Sequence, residues 1–428
     1  MHTHTRFRAT AVAAAAALAL AACSGQHSSV VSTPSLGGGS QAQPAGSAAV
    51  SPDTSTIILH PSSLPIRGTG AAFNRTFTAT DTQPNFTGTL SAATSNAAVA
   101  TVSPSSVTGQ QSATFTVTPV AIGSCTIKVK DGTSSKKLKV TVTSAHGIYV
   151  SNRGAESLEA FDLAANGNVA PTATWKGSHT QLNVVNLLTV DANGNVDATN
   201  IGPGISGSLT TYAPNPVGNV APAVVLAGPN TGINTPEGVY VDALGDTYVA
   251  NADRIVEFGP GASGNATPIR TIMGSHTILS GPYELTLDSA GNIYVAEGNV
   301  ILVFAASASG DATPIQEITG PATGLLSNLG IAVDAARNIY ATNFNGNTIN
   351  VYAPGATGNA QPSGVITSTA LNEPYNIALD ASGKIYVTNF GNNSIVVFPA
   401  GSNGATMPSA TISGSSTGLN QPQGIAIY

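Results

Sequence analysis

The stretch Ile377-Ala378-Leu379-Asp380-Ala381-Ser382-Gly383-Lys384-Ile385-Tyr386-Val387-Thr388-Asn389 decides how this chain is read. Two apolar runs flank Asp-x-x-Gly, a hairpin signal in which Asp caps the turn and Gly takes a positive φ. The phrase Asp-x-x-Gly-x-Ile-Tyr-Val-x-Asn recurs, with substitutions, with its Asp at 191, 242, 288, 334 and 380, at steps of 51, 46, 46 and 46. Gly147 to Asn152 repeats only the second half, with Ile148-Tyr149-Val150 matching Ile385-Tyr386-Val387. Gln421-Pro422-Gln423-Gly424-Ile425-Ala426-Ile427-Tyr428 repeats only the first half.

A period of this length with short strands is that of β-propeller blades. Each copy reads as four strands, here a to d. Strand a is of the type Gly330 to Asp334, b is Asn338-Ile339-Tyr340, and c is Thr348 to Tyr352. Strand d follows Gly358-Asn359-Ala360-Gln361-Pro362. The two half-phrases complete one another, so a ring of six blades closes by pairing its last strand with its first ones. Closure removes the exposed edges that invite aggregation. Phe161, Tyr212, Phe258, Phe304, Tyr352 and Phe398 end strand c in every copy. Tyr149, Tyr248, Tyr294, Tyr340 and Tyr386 recur in strand b, where Asp197 stands in the divergent copy. Such columns are expected to pack between blades, and the five repeated Asp residues to serve turns rather than a metal. The phrases Pro-x-Gly-Ile-Ala-Val-Asp-x-x-Gly-x-Ile-Tyr-Val and Asn-x-x-x-x-Ile-x-Val-Phe/Tyr resemble NHL-type propeller repeats over all of 147–428.

The 428 residues are enough for two or three domains. Charged residues make up 8%, against about 25% in an ordinary soluble domain. The net charge of −6 argues against a nucleic-acid binder, which needs a basic face.

Residues 1–22 read as an export signal: Arg6 and Arg8 precede an apolar run from Ala9 to Leu20. That run is shorter than the roughly 20 residues needed to span a bilayer. Leu20-Ala21-Ala22-Cys23 resembles the bacterial lipobox, which implies lipid on the Cys23 thiol; the alternative is an ordinary signal cut near Ala22. Ser24 after the Cys, where inner-membrane retention often uses Asp, favours an outer-membrane or surface destination. From Cys23 the chain to Asp53 is rich in Ser, Gly, Ala, Gln and Pro, a flexible tether with a reach on the order of 30 Å. Cys125 is the only other cysteine and alternates with Ile127 and Val129, as a buried strand residue would.

Residues 54–144 carry short β-branched runs at 56–59, 113–117, 126–130 and 138–142, the spacing of a β-sandwich. Ser95-Asn96-Ala97-Ala98-Val99-Ala100-Thr101-Val102-Ser103-Pro104 and Gly123 to Val129 resemble bacterial Ig-like (Big) domains. That resemblance implies a spacer or adhesion module. The segment holds seven basic and two acidic residues, whereas 145–428 holds six and eighteen. Lys128, Lys130, Lys137 and Lys139 point away from the Ile127/Val129/Leu138/Val140 face, with Lys136 at the turn. A solvated hairpin accounts for them; an anionic neighbour (lipid A phosphate, a cell-wall polymer or the acidic domain) would relieve their repulsion.

Within 145–428 the length varies almost wholly in the b–c loop, which shares a face with the d–a crossover. Variable loops on a constant scaffold are where recognition sits. The loop is shortest in two adjacent blades, at Asn251-Ala252-Asp253-Arg254 and Glu297-Gly298-Asn299-Val300. These leave a notch in the rim. The position after strand b is Asn152, Asn200, Asn251, Glu297, Asn343 and Asn389. At the mouth of strand a stand Asn186, Glu237, Tyr283, Leu329, Tyr375 and Gln423, and Glu284 replaces a glycine of three other copies. Glu237, Tyr283, Glu284 and Glu297 are therefore expected to converge near the notch, with Asp253, Arg254 and His276 on its rim. Such a pocket suits a sugar, a peptide or a cation; unselected polar residues on a wet rim are the plainer account.

The fold class expected is all-β: an Ig-like sandwich at 54–144 and a six-bladed propeller at 145–428, behind the signal (1–22) and tether (23–53). The function expected is non-catalytic binding of an extracellular or cell-envelope polymer or protein by a protein lipid-anchored to the envelope. Its membrane contact would be through the N-terminal lipid, with no nucleic-acid partner. A metal-dependent lactonase- or lyase-like enzyme is the alternative, since six-bladed propellers of the lactonase and streptogramin-lyase kind use a metal in the central mouth. Here His179 and His276 recur in a duplicated Gly-Ser-His-Thr loop, and His146 is the third propeller histidine. No cofactor is expected, although Glu237, Glu284 and Glu297 could hold Ca²⁺ weakly. A structural envelope component is a third possibility.

Overall fold

A computed structural model describes residues 56–428 apart from 70, 144–146, 203–206 and 215–217. The signal, Cys23, the tether and His146 lie outside the described residues.

Alternating inward apolar and outward polar residues build two sheets between Ile57 and Thr143. One orders Ile57–His60, Arg75–Asp81, Ser112–Pro119 and Ala100–Ser103. The other orders Ser63–Arg67, Ser135–Thr143, Gly123–Lys130, Thr89–Thr94 and Ser106–Thr108. Phe77 and Phe115 stack at 5.3 Å in a core that also holds Cys125, Ile127, Leu138 and Val140.

From Ile148 onward the repeat folds into six antiparallel sheets, none closed on itself. Each places its strands in the order a-b-c-d, as in Asn328–Val333, Ile339–Asn343, Thr348–Tyr352 and Gly364–Thr367. The sheet containing Ile148–Asn152 takes its a strand from the other end of the chain, Pro422–Ile427, in the register Ile148↔Ile427 and Val150↔Ile425. The a strands lie side by side all the way round. Val185–Val190 adjoins Pro236–Val241, then Glu284–Leu287, Asn328–Val333 and Pro374–Leu379 follow, and Pro422–Ile427 touches both Pro374–Leu379 and Val185–Val190. Each turn Asp accepts backbone amides, as Asp191 Oδ1 does from Asn193 and Asn195 at 2.8 Å. The aromatic at the end of every c strand is fully buried.

The outer strands are covered by a device the repeat phrase did not disclose. The c–d loop of each sheet runs parallel to strand d of the preceding sheet, at Trp175↔Gly218, Leu226↔Gly264, Ile272↔Gly310, Ile318↔Gly358 and Ile366↔Gly404. Gly167↔Ile412 completes the circuit between the first sheet and the last. These straps occupy edges that would otherwise offer unpaired backbone groups.

The inter-sheet contact is also stitched by hydroxyls. Thr342 Oγ1 accepts the Gly330 amide at 2.9 Å and donates to the Tyr375 carbonyl of the next sheet at 2.9 Å. Thr388 repeats the pattern towards Asn376 and Gln423, and Thr199 towards Leu187 and Glu237. Ala250 and Ala296 occupy this position in the two sheets with the shortest b–c loops, so those seams lack the hydroxyl.

Candidate functional site

The b–c loops are two residues long between Thr247–Asn251 and Arg254–Phe258 and between Ile293–Glu297 and Val300–Phe304. Beside the second lies a cavity of about 330 Å³ lined by Ile278, Ser280, Gly281, Tyr283, Glu297, Gly298, Val300 and Leu302.

Glu297 differs from its counterparts in what it can donate. In the sister copies Oδ1 of Asn200, Asn251, Asn343 and Asn389 accepts the amide seventeen residues earlier. Glu297 keeps that half of the pattern, since its Oε1 accepts the Ser280 N–H at 2.7 Å and the Ser280 hydroxyl. Asn251, Asn343 and Asn389 also donate Nδ2 to the carbonyl nineteen residues earlier, those of Gly232, Gly324 and Ala370. A carboxylate has no N–H to give. The equivalent carbonyl, of Ile278, receives nothing from it. Glu297 is 9% exposed and its Oε2 has no hydrogen-bond partner.

Tyr283 lines this cavity and also packs against Leu187, Leu329 and Tyr375 from other sheets. Its phenol pKa is raised by burial and then by the charges of Glu237 and Glu297. Glu237 accepts a hydrogen bond from Asn186 Nδ2, and burial pushes its carboxyl up to about 7 against the pull of Asn186 and Arg153. Glu284 lies deeper. Its Oε2 accepts the Ile331 N–H of the next sheet at 2.9 Å, and burial raises its pKa to about 8. It lines an axial cavity of about 340 Å³ to which each a strand gives three consecutive residues: 188–190, 239–241, 284–286, 331–333, 377–379 and 425–427.

An apolar plug adjoins that cavity. Leu187, Leu329 and Tyr375, with Tyr283, Phe344 and Phe390, form one cluster although they come from different sheets. The Tyr375 ring meets Phe344 edge-on at 6.0 Å and Phe390 at 5.9 Å. Side chains from opposite sheets can meet only near the axis, and Leu187, Tyr283, Leu329 and Tyr375 lie within two residues of cavity-lining positions, so the cluster adjoins the axial cavity. Sequence reasoning missed this plug and Arg153, although Phe344 and Phe390 each follow the recurrent Asn directly.

The remaining candidates lie apart from this group. Asp253 and Arg254 pair with each other at 2.8 Å in their exposed turn. His276 pairs through Nδ1 with Asp311 Oδ2 at 2.7 Å, at the strap between two sheets. No contact ties either pair to Tyr283 or Glu297 among the described residues. Among the described residues no group of three or more His, Cys, Asp or Glu side chains is placed to hold a metal ion. Glu237, Glu284 and Glu297 each face a different partner: Asn186, Ile331 and Ser280.

No family model matches the chain, and no curated protein matches it. Among solved structures it is similar to a protein of unknown function from Bacteroides caccae, with 8% identity and TM-score 0.49 over 66% of this chain and 98% of that one. Virginiamycin B lyase from Staphylococcus aureus gives 16% identity and TM-score 0.41, over 66% and 92%. The WD40 β-propeller domain of Doa1 gives 14% and 0.41, over 62% and 82%. At these identities the likeness concerns fold alone: the chain is all-β, with β-propeller proteins among its structural neighbours.

Proposed function

We propose that this chain is an exported lipoprotein whose six-bladed, NHL-type propeller is a non-catalytic binding module for an extracellular or cell-envelope polymer or protein. In this reading Cys23 carries the lipid, residues 24–53 form the tether, and an Ig-like sandwich is the spacer. The lipobox reading directs it to the outer membrane or surface, which labelling of intact cells tests.

One observation carries the binding role: a buried carboxylate oxygen without a donor, Glu297 Oε2, on a residue that lines a cavity with Tyr283 and apolar side chains. A buried acceptor left unpaired costs about 1–3 kcal/mol, more when charged. A ligand that brings an ammonium or hydroxyl group recovers that cost, while Tyr283, Val300 and Leu302 give it an apolar face. Amino sugars, sugars and lysine-bearing peptides share this chemistry.

The test is a glycan, peptidoglycan-fragment and peptide array followed by calorimetry, comparing the wild type with Glu297→Asn. Asparagine restores the residue of the sister copies, so the fold keeps its hydrogen bonds while the charge is lost. Saturable binding without turnover, weakened at least tenfold in Glu297→Asn, is expected. Equal binding by both proteins, or consumption of the ligand as a lyase or lactonase would cause, contradicts the proposal.

A further inference from the structure

The sandwich presents a second surface, chemically opposite to the Glu297 cavity. On the outer face of the five-stranded sheet Lys128 stands directly across from Lys137, with Lys130 opposite Ser135 and Lys139 opposite Thr126. All four lysines are exposed, and among the described residues none is ion-paired. The two acids of the segment, Asp81 and Asp131, are buried and hold turn amides, those of Gln83 and Thr133, at 2.8 Å. No carboxylate therefore competes for the face. A groove of about 450 Å³ runs over it, lined by Lys128, Lys130 and Lys137 with Ser91, Thr94 and Thr126.

We propose that this groove binds a linear polyanion bearing phosphate groups. Like charges opposed across a strand pair destabilise the sheet. An anionic chain laid between Lys128 and Lys137 removes that repulsion, and the Thr94 hydroxyl, which accepts the Asn96 amide, keeps its proton to donate to the polyanion's oxygens. Alternate residues on a strand lie about 6.8 Å apart and neighbouring strands about 4.8 Å. The lysines thus form a band along which successive phosphates find a partner. The concavity selects a chain, because a flat headgroup layer meets only the protruding ammonium tips.

The experiment uses the full chain and labelled inorganic polyphosphate, with anisotropy read at several salt concentrations. Binding is expected to weaken steeply with salt, since each neutralised phosphate releases counterions. Lys128→Gln/Lys137→Gln is expected to lose at least tenfold in affinity at low salt, with a shallower salt slope and an unchanged or slightly higher melting temperature. Glu297→Asn is expected to bind polyphosphate as the wild type does, which separates this surface from the propeller cavity. Undiminished binding by the double lysine variant overturns the proposal. So does displacement by orthophosphate at equal total phosphate, or tight binding to phosphatidylglycerol vesicles without binding to polyphosphate.

Discussion

Asn168 Oδ1 accepts a hydrogen bond from the Ser416 backbone N–H at 2.7 Å, joining residues 248 positions apart. The same bond links Asn219 to His179, Asn265 to Asn230, Asp311 to His276 and Asn359 to Ala322, and only the strap at Gly404, where Ala405 follows, lacks it among the six described. The seam between the chain's two ends is thus built like the seams between successive sheets. A glycine beneath each bond allows the approach: a Cβ on Gly414 would lie 2.6 Å from Asn168 Cγ, and its φ is +117°.

Gly414→Ala should therefore destabilise the chain by about 2–3 kcal/mol, combining a disfavoured backbone with a displaced Asn168. Gly355→Ala is the control: its φ is +79°, yet nothing lies within 4 Å of the added carbon. It should cost about 1 kcal/mol. Urea titration of both variants checks the difference, and equal losses would contradict the interlock.

Replacing Glu297 by Asn should stabilise the fold by about 1 kcal/mol, because a buried oxygen without a donor disappears and the Ile278 carbonyl gains one. A melting temperature a few degrees higher is expected in the absence of ligand. A large loss of stability would mean that the carboxylate is a structural element.

Acid should stabilise this protein over a defined window. Burial raises the carboxyls of Asp197, Glu159 and Glu237 to about 7 and that of Glu284 to about 8. Between about pH 4 and 7 the folded chain therefore holds protons the unfolded chain has released, so stability falls as pH rises. Asp288 and Asp380 are shifted down by their turn hydrogen bonds, despite burial, and their contribution is lost only below the ordinary carboxylate range. Melting temperatures should rise from pH 8 to pH 5, and Asp197→Asn should flatten that rise. A wild type equally stable at both pH values would contradict this.

The repeat and its two half-phrases were legible because turn chemistry and strand period are local. Asp-x-x-Gly marks a hairpin wherever it stands, and Ile148-Tyr149-Val150 needed only a strand of the Ile425–Ile427 kind to pair with. The straps were not legible as strands. Gly358-Asn359-Ala360-Gln361-Pro362 has no apolar alternation, and its pairing partner belongs to another sheet, although its recurrence was visible. The site divided in the same way. Tyr283 and Glu297 stand out by departing from a local pattern, one at the mouth and one after strand b. The contribution of Arg153 and the plug of Phe344, Tyr375 and Phe390 depends on which side chains face one another across the axis. His276 and Asp253 share the rim in sequence register, yet each is bonded elsewhere, to Asp311 and Arg254.

The repeat closes on itself through Pro422–Ile427, which completes the sheet of Ile148–Asn152. Hydrogen exchange read peptide by peptide tests this most directly. The amides of 423–427 and 148–152 should be protected as strongly as those of Ile385–Asn389, whose strand lies inside a continuous sheet. Exchange of 423–427 at the rate of an unpaired tail, with 385–389 still protected, would contradict it.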